Sequence, residues 1–157
     1  MSYAKVPIFA VLAAVCTLSL IGNATAQDDH CYTPRQYYSE WKHSPKQDYH
    51  YRSYYYKPTH DYSGYKHHYV VYSPKKPDSY YYYNPYKKQY WGRCPSHNDG
   101  QPLYSHLAPE NQKPFLDDIP EASFPEFGAL PPIPESTDGQ VIDLPPDDLP
   151  VLAPGGF

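Results

Sequence analysis

The chain has 157 residues, 40% of them hydrophobic, and a formal net charge of −4, which allows one small domain with tails. The negative total argues against a nucleic-acid partner, because phosphate contacts dominate that kind of affinity. No Gly-x-Ser-x-Gly, His-Glu-x-x-His, Cys-x-x-Cys, phosphate-binding glycine loop or dinucleotide fingerprint occurs, so the sequence offers no enzyme signature and no cofactor.

In chain order, Lys5 precedes an apolar run from Val6 to Ile21 and then Ala24-Thr25-Ala26. That is the order of a secretory signal peptide, and residues 1–26 are read as one. The run is shorter than the ~20 residues a bilayer span needs. Cys16 is a poor lipidation site, because Val15 stands before it where a small residue is wanted. Cleavage leaves a secreted, periplasmic or envelope protein with no membrane anchor. Two cysteines then remain, Cys31 and Cys94. In an oxidising compartment they are expected to pair, contributing on the order of 4 kcal/mol by loop closure.

Residues 27–127 are expected to form a Tyr-rich β domain. Between Gln27 and Gly100 lie 18 of the 20 tyrosines, and the only aliphatic side chains are Val70 and Val71. Any core here must be built from phenol and indole rings, and Tyr favours strands. Asp48–Arg52 alternates polar and aromatic, the period of a half-buried strand. Lys66–Tyr72, Ser79–Tyr83 and Lys88–Arg93 are further strands. Asn84-Pro85-Tyr86-Lys87 suits a type I turn, so Ser79–Cys94 reads as a hairpin, with a bulge or longer loop left open. Residues 103–127 carry Leu103, Tyr104, Leu107, Phe115, Leu116, Ile119, Phe124 and Phe127. They are expected to cover one aromatic face as irregular chain.

Residues 128–157 are proline-rich and acidic. From Gln101 onward one Lys faces ten Asp and Glu, against 11 basic and seven acidic residues in Gln27–Gly100. Low aromatic content, negative charge and repeated proline leave too little apolar burial to offset chain entropy, which predicts a disordered, solvated tail. The fold class is therefore a small all-β protein: a short antiparallel meander or hairpin sheet, much irregular chain and that tail.

Neighbours on a strand point to opposite faces, so the Tyr55/Tyr56 and Tyr90/Trp91 pairs place aromatics on both. The surplus rings, with Tyr55, Tyr56, Tyr82, Tyr90 and Trp91 as candidates, suit stacking on sugar rings. An extracellular polysaccharide or envelope polymer is the expected partner, with self-association as another outcome and a non-catalytic role. The alternative is a metal-binding protein, with His50, His67 and His68 as candidates. On a strand, His67 and His68 would diverge.

Tyr80-Tyr81-Tyr82-Tyr83-Asn84-Pro85, Tyr90-Trp91-Gly92-Arg93, Leu116-Asp117-Asp118-Ile119-Pro120-Glu121, Phe124-Pro125, Pro132-Ile133-Pro134-Glu135 and Asp138-Gly139 together resemble a family of small secreted Tyr-rich proteins of planctomycete bacteria. The resemblance covers about residues 80–148. It implies export and a shared fold segment, and it transfers no functional residues.

Overall fold

A computed structural model describes residues 33–97 and 101–150. The expected signal peptide, Cys31 and residues 151–157 lie outside the described residues.

Tyr-rich sequence forms strands, as expected. They are β1 (Gln36–Tyr38), β2 (Lys42–Ser44), β3 (Tyr49–Tyr56), β4 (Lys66–Ser73), β5 (Lys76–Asn84), β6 (Gln89–Pro95) and β7 (Ser105–His106). Among the described residues they make one seven-stranded antiparallel sheet in the order β1-β3-β4-β5-β6-β7, with β2 also paired to β3. The stretch from β3 to β7 is a meander. The four strands expected from sequence are present and mostly longer than their patterns suggested. The short β1, β2 and β7 were not anticipated. Among the described residues no helix is long and apolar enough to cross a membrane.

The Asn84 turn takes the expected form. The Asn84 side-chain oxygen accepts from the Tyr86 and Lys87 backbone N–H groups at 2.9 and 3.1 Å, so Asn locks the bend while Pro85 presets it. Lys88 closes the loop in the left-handed region at φ 54°. The sheet register then slips between Tyr82–Gly92 and Tyr83–Tyr90, leaving Trp91 as the extra residue of a bulge. The β2–β3 connection repeats this design: Ser44-Pro45 opens it and Asp48 closes it at φ 53°.

The period-2 rule sorts the rings into two layers. The first face holds Tyr54, Tyr56, Val70, Tyr72, Tyr80, Tyr82, Trp91, Cys94 and Tyr104 in one buried cluster. The second holds Val71, Tyr81 and Tyr90, with Tyr49, Tyr51 and Tyr83 at its margin. Tyr90 and Trp91 therefore point apart, as do Tyr55 and Tyr56.

The irregular cover is real on the second face, where Leu107, Ile119 and Phe124 are buried and Leu116 is partly buried. Its other members behave differently. Tyr104 turns to the first face, and Phe115 and Phe127 stay exposed.

Residues 128–150 differ from the expected solvated tail: they close the first face. Ile133 and Ile142 are 0% exposed, and Leu130 and Leu144 pack beside them. A single bridge pairs Pro132 with Val141. Prolines cannot donate to a long ladder, so beyond the Tyr104–Gly128 bridge at its start side chains hold the segment. Gln36 donates to the Val141 carbonyl at 3.1 Å, Tyr38 to Asp143 at 2.6 Å and Trp41 to Asp148 at 2.8 Å. The buried Arg52 grips the Asp148 carboxylate through two 2.8 Å bonds and stacks on Trp41. Arg35 reaches Asp138 at 2.6 Å, and Arg35, Ser136 and the Gln140 N–H hold that carboxyl below the usual carboxylate range.

Among the described residues no disulfide is found, and Cys31, the expected partner of Cys94, lies outside them. Cys94 is a free thiol, 1% exposed on the first face of β6. It fills the core there, and burial pushes the thiol up to about 12.

Candidate functional site: an aromatic groove on the second face

The second face is only half covered. The 107–124 cover lies over the side formed by β5 and β6. Beside it a groove of about 580 Å³ opens across β3, β4 and β5. Its aromatic lining is Tyr49, Tyr51, Tyr69, Tyr83, Tyr90 and Phe115, with Val71 and Leu116 between them. Ser44, Gln47, Ser73, Lys75 and Asp117 supply polar groups around it.

Register explains why these rings meet. Tyr51 stands opposite Val71, and Ser53 opposite Tyr69. Tyr69 stands opposite Tyr83 and Val71 opposite Tyr81. The small Ser53 and Val71 leave room between the rings. Tyr51 and Tyr69 pack edge-to-face at 5.7 Å, Tyr49 and Tyr51 at 6.2 Å and Tyr83 and Tyr90 at 5.0 Å, the geometry that aromatic quadrupoles prefer. The covering chain forms the far wall. The Tyr90 N–H donates to the Lys113 carbonyl at 2.9 Å, and Lys76 Nζ to the Leu116 carbonyl at 3.4 Å.

Burial raises the Tyr90 and Tyr49 hydroxyls above the ordinary phenol value, and the Ser44 side chain partly offsets this for Tyr49. Both phenols are neutral at pH 7 and can donate as well as accept. The single Lys and single Asp of the lining cancel in charge. The groove therefore offers apolar ring faces, hydroxyl rims and no net field.

The expected surface residues divide. Tyr56 and Tyr82 are 0% exposed and Trp91 is 7% exposed in the first-face core, so these three are corrected from surface to core. They are buried because residues 130–144 cover that face. Tyr90 lines the groove although it is 6% exposed. Tyr55 is half-buried on the open side and stacks on Tyr37 at 4.8 Å. Tyr49, Tyr51, Tyr69 and Tyr83 were missed. Their shared parity with Val71 was visible, but the covered portion of that face was not.

The three candidate histidines are not brought together. His50 is buried and stacks on His43 at 4.7 Å. His67 lies on the second face beside Tyr55 and Tyr86. His68 is 2% exposed on the first face, against Tyr56 and Trp91. Among the described residues no group of three or more His, Cys, Asp or Glu could hold a metal ion.

Comparison with protein-family models, curated proteins and solved structures returned no match.

Proposed function

We propose that this is an exported, non-catalytic protein that holds an extracellular or envelope polysaccharide in the second-face groove. One observation carries the reading. The first face is closed over its rings, whereas the second leaves a row of half-exposed tyrosines bare. Apolar area left in water costs about 25 cal/mol per Å² relative to burial, so a bare ring row marks a surface that becomes covered on binding. Flat rings with hydroxyl rims match the alternating apolar faces and hydroxyl edges of sugars. The resemblance to secreted planctomycete proteins supports the export half of the reading.

The test is co-sedimentation of the mature protein with insoluble cellulose, chitin and murein sacculi. Binding to at least one is expected, with Tyr51→Ala and Tyr69→Ala each weakening it about tenfold, as loss of about 1.4 kcal/mol of stacking requires. Near-UV circular dichroism checks that each variant folds. Retention by none of these polymers, or equal retention of both folded variants, refutes the proposal.

A further inference from the structure

The bare rings do not stop at the groove. From Tyr69 the contacts run to His67 at 5.3 Å, on to Tyr55 at 5.9 Å and then to Tyr37 at 4.8 Å. Tyr65 closes the row edge-on against Tyr37 at 4.9 Å. The register explains the continuity: Tyr55 stands opposite both His67 on β4 and Tyr37 on β1. Tyr65 comes from the β3–β4 connection. Gly64 turns the chain there at φ 85°, and the Tyr65 hydroxyl donates to the Pro34 carbonyl at 2.6 Å. The far end of the row is thus a positioned element.

All these rings are half-buried or exposed, Tyr37 most at 39%. The cover of the second face reaches Leu116 and Asp117 beside the groove. Tyr49 to Tyr55 spans six strand steps, about 20 Å at the usual rise. That is a track, longer than one or two sugars, and the groove is its deep end.

Resting on the groove as the binding site, we infer that its ligand is an extended, uncharged glycan chain. Its leading units sit in the groove and its trailing units lie along the Tyr69–Tyr55–Tyr37–Tyr65 row. An uncharged chain fits because the groove's Lys75 and Asp117 balance. A polyanion would need a line of cations, and the row of phenols and one imidazole has a single ammonium against it, Lys57, 5.0 Å over the Tyr65 ring. At about 5 Å per unit, a 20 Å track holds about four sugar units.

The experiment titrates the full mature protein with cello- and chito-oligosaccharides of two to six units, following intrinsic fluorescence and heat. Affinity is expected to rise at least tenfold from two units to four, then level off. Tyr37→Ala should lose about tenfold on the four-unit ligand and nothing on the two-unit one, while Tyr51→Ala should weaken both. Tyr37 is an exposed side chain on an edge strand, so its removal leaves the core intact. If short ligands bind in a Tyr51-dependent way with no gain in length, the groove stands and the track is refuted. If no length binds, the track is refuted, and the groove then stands or falls on the co-sedimentation with murein sacculi. If the free protein dimerises and Tyr37→Ala abolishes the dimer, the row belongs to a second copy and the inference is overturned.

Discussion

Replacing Ile133 with alanine separates a packed C-terminal segment from a solvated one. Ile133 is 0% exposed, seated in the first-face cluster with Tyr54, Tyr56, Tyr82 and Trp91. Removing a fully buried isoleucine to its Cβ costs about 2–5 kcal/mol, lost transfer energy plus the cavity left behind. The neighbourhood is stiff. The Ile133 N–H donates to Gln140 at 2.8 Å, prolines flank the residue on both sides, and large aromatic rings do not readily collapse into a methyl-sized gap. A value near 3 kcal/mol is expected, about a 10 °C drop in Tm for a domain of this size. Val141 supplies the control: it is 43% exposed on the strand-like piece bridged to Pro132. Val141→Ala should stay within about 0.5 kcal/mol of the parent. Both variants would be measured by urea unfolding with fluorescence and near-UV circular dichroism, requiring coincident transitions. If Ile133→Ala unfolds within 0.5 kcal/mol of the parent, residues 128–150 do not close the first face and the core assignment fails.

Four further outcomes follow from the packing. A Cβ on Gly92 would sit 2.6 Å from the Tyr104 ring carbon Cζ and closer still to its hydroxyl, so Gly92→Ala should cost about 1–3 kcal/mol by overpacking. Tyr104→Phe, which deletes a buried hydroxyl lacking a partner, should be neutral or stabilising in the same urea assay. Burial, then the nearby His67, Lys87 and Lys66, lowers His68 from 6.5 to about 3. The unfolded chain therefore binds a proton that the folded chain refuses, so stability is full above pH 6.5 and falls as pH drops toward 3, by up to about 1.4 kcal/mol per pH unit. His68→Gln should flatten that stretch of the stability–pH curve; an unchanged slope would refute the assignment. Cys94, held protonated in the core, should resist iodoacetamide in the native protein and react in denaturant without reductant; a thiol that stays blocked in denaturant would show that it is bridged.

The parts legible in the sequence were those set by local pattern. Alternation in Asp48–Arg52 located β3, the Val70-Val71 pair marked β4, and Asn84-Pro85 located the last long hairpin. The shortage of aliphatics pointed to an aromatic core fed from downstream. The missed elements depend on distant chain. β1 and β2 are three residues each and are held by β3, so neither carries a periodic signal of its own. Ile133 and Ile142 lie in short, scattered apolar clusters broken by prolines and acids, and no helical or strand period hints that both reach zero exposure. Proline reduces the freedom the segment loses on docking, which lets few apolar anchors suffice. The binding surface failed for the same reason. Parity showed that Tyr55 and Tyr56 diverge, but only the docked position of residues 130–144 shows which face is closed.

The charge asymmetry changes meaning once that docking is known. An acidic C-terminal region beside a basic body suggested a free tail, yet its carboxylates meet the body's cations on the sheet. Asp138 pairs with Arg35, Glu135 with Lys66 and Asp148 with Arg52. The Asp138–Arg35 and Glu135–Lys66 pairs, whose carboxylates are open to solvent, each contribute little, typically 0–1 kcal/mol, so the ion pairs do not account for the packing energy. Their effect is to choose the face. Arg52 points into the first face and is 2% exposed, so it requires a carboxylate there, and leaving it unpaired would be costly. The open row on the second face carries phenols and an imidazole and makes no such demand. An acidic segment laid over it would leave Arg52 uncompensated. The cation that pins the C-terminal chain to one face thereby keeps that chain off the tyrosines of the other.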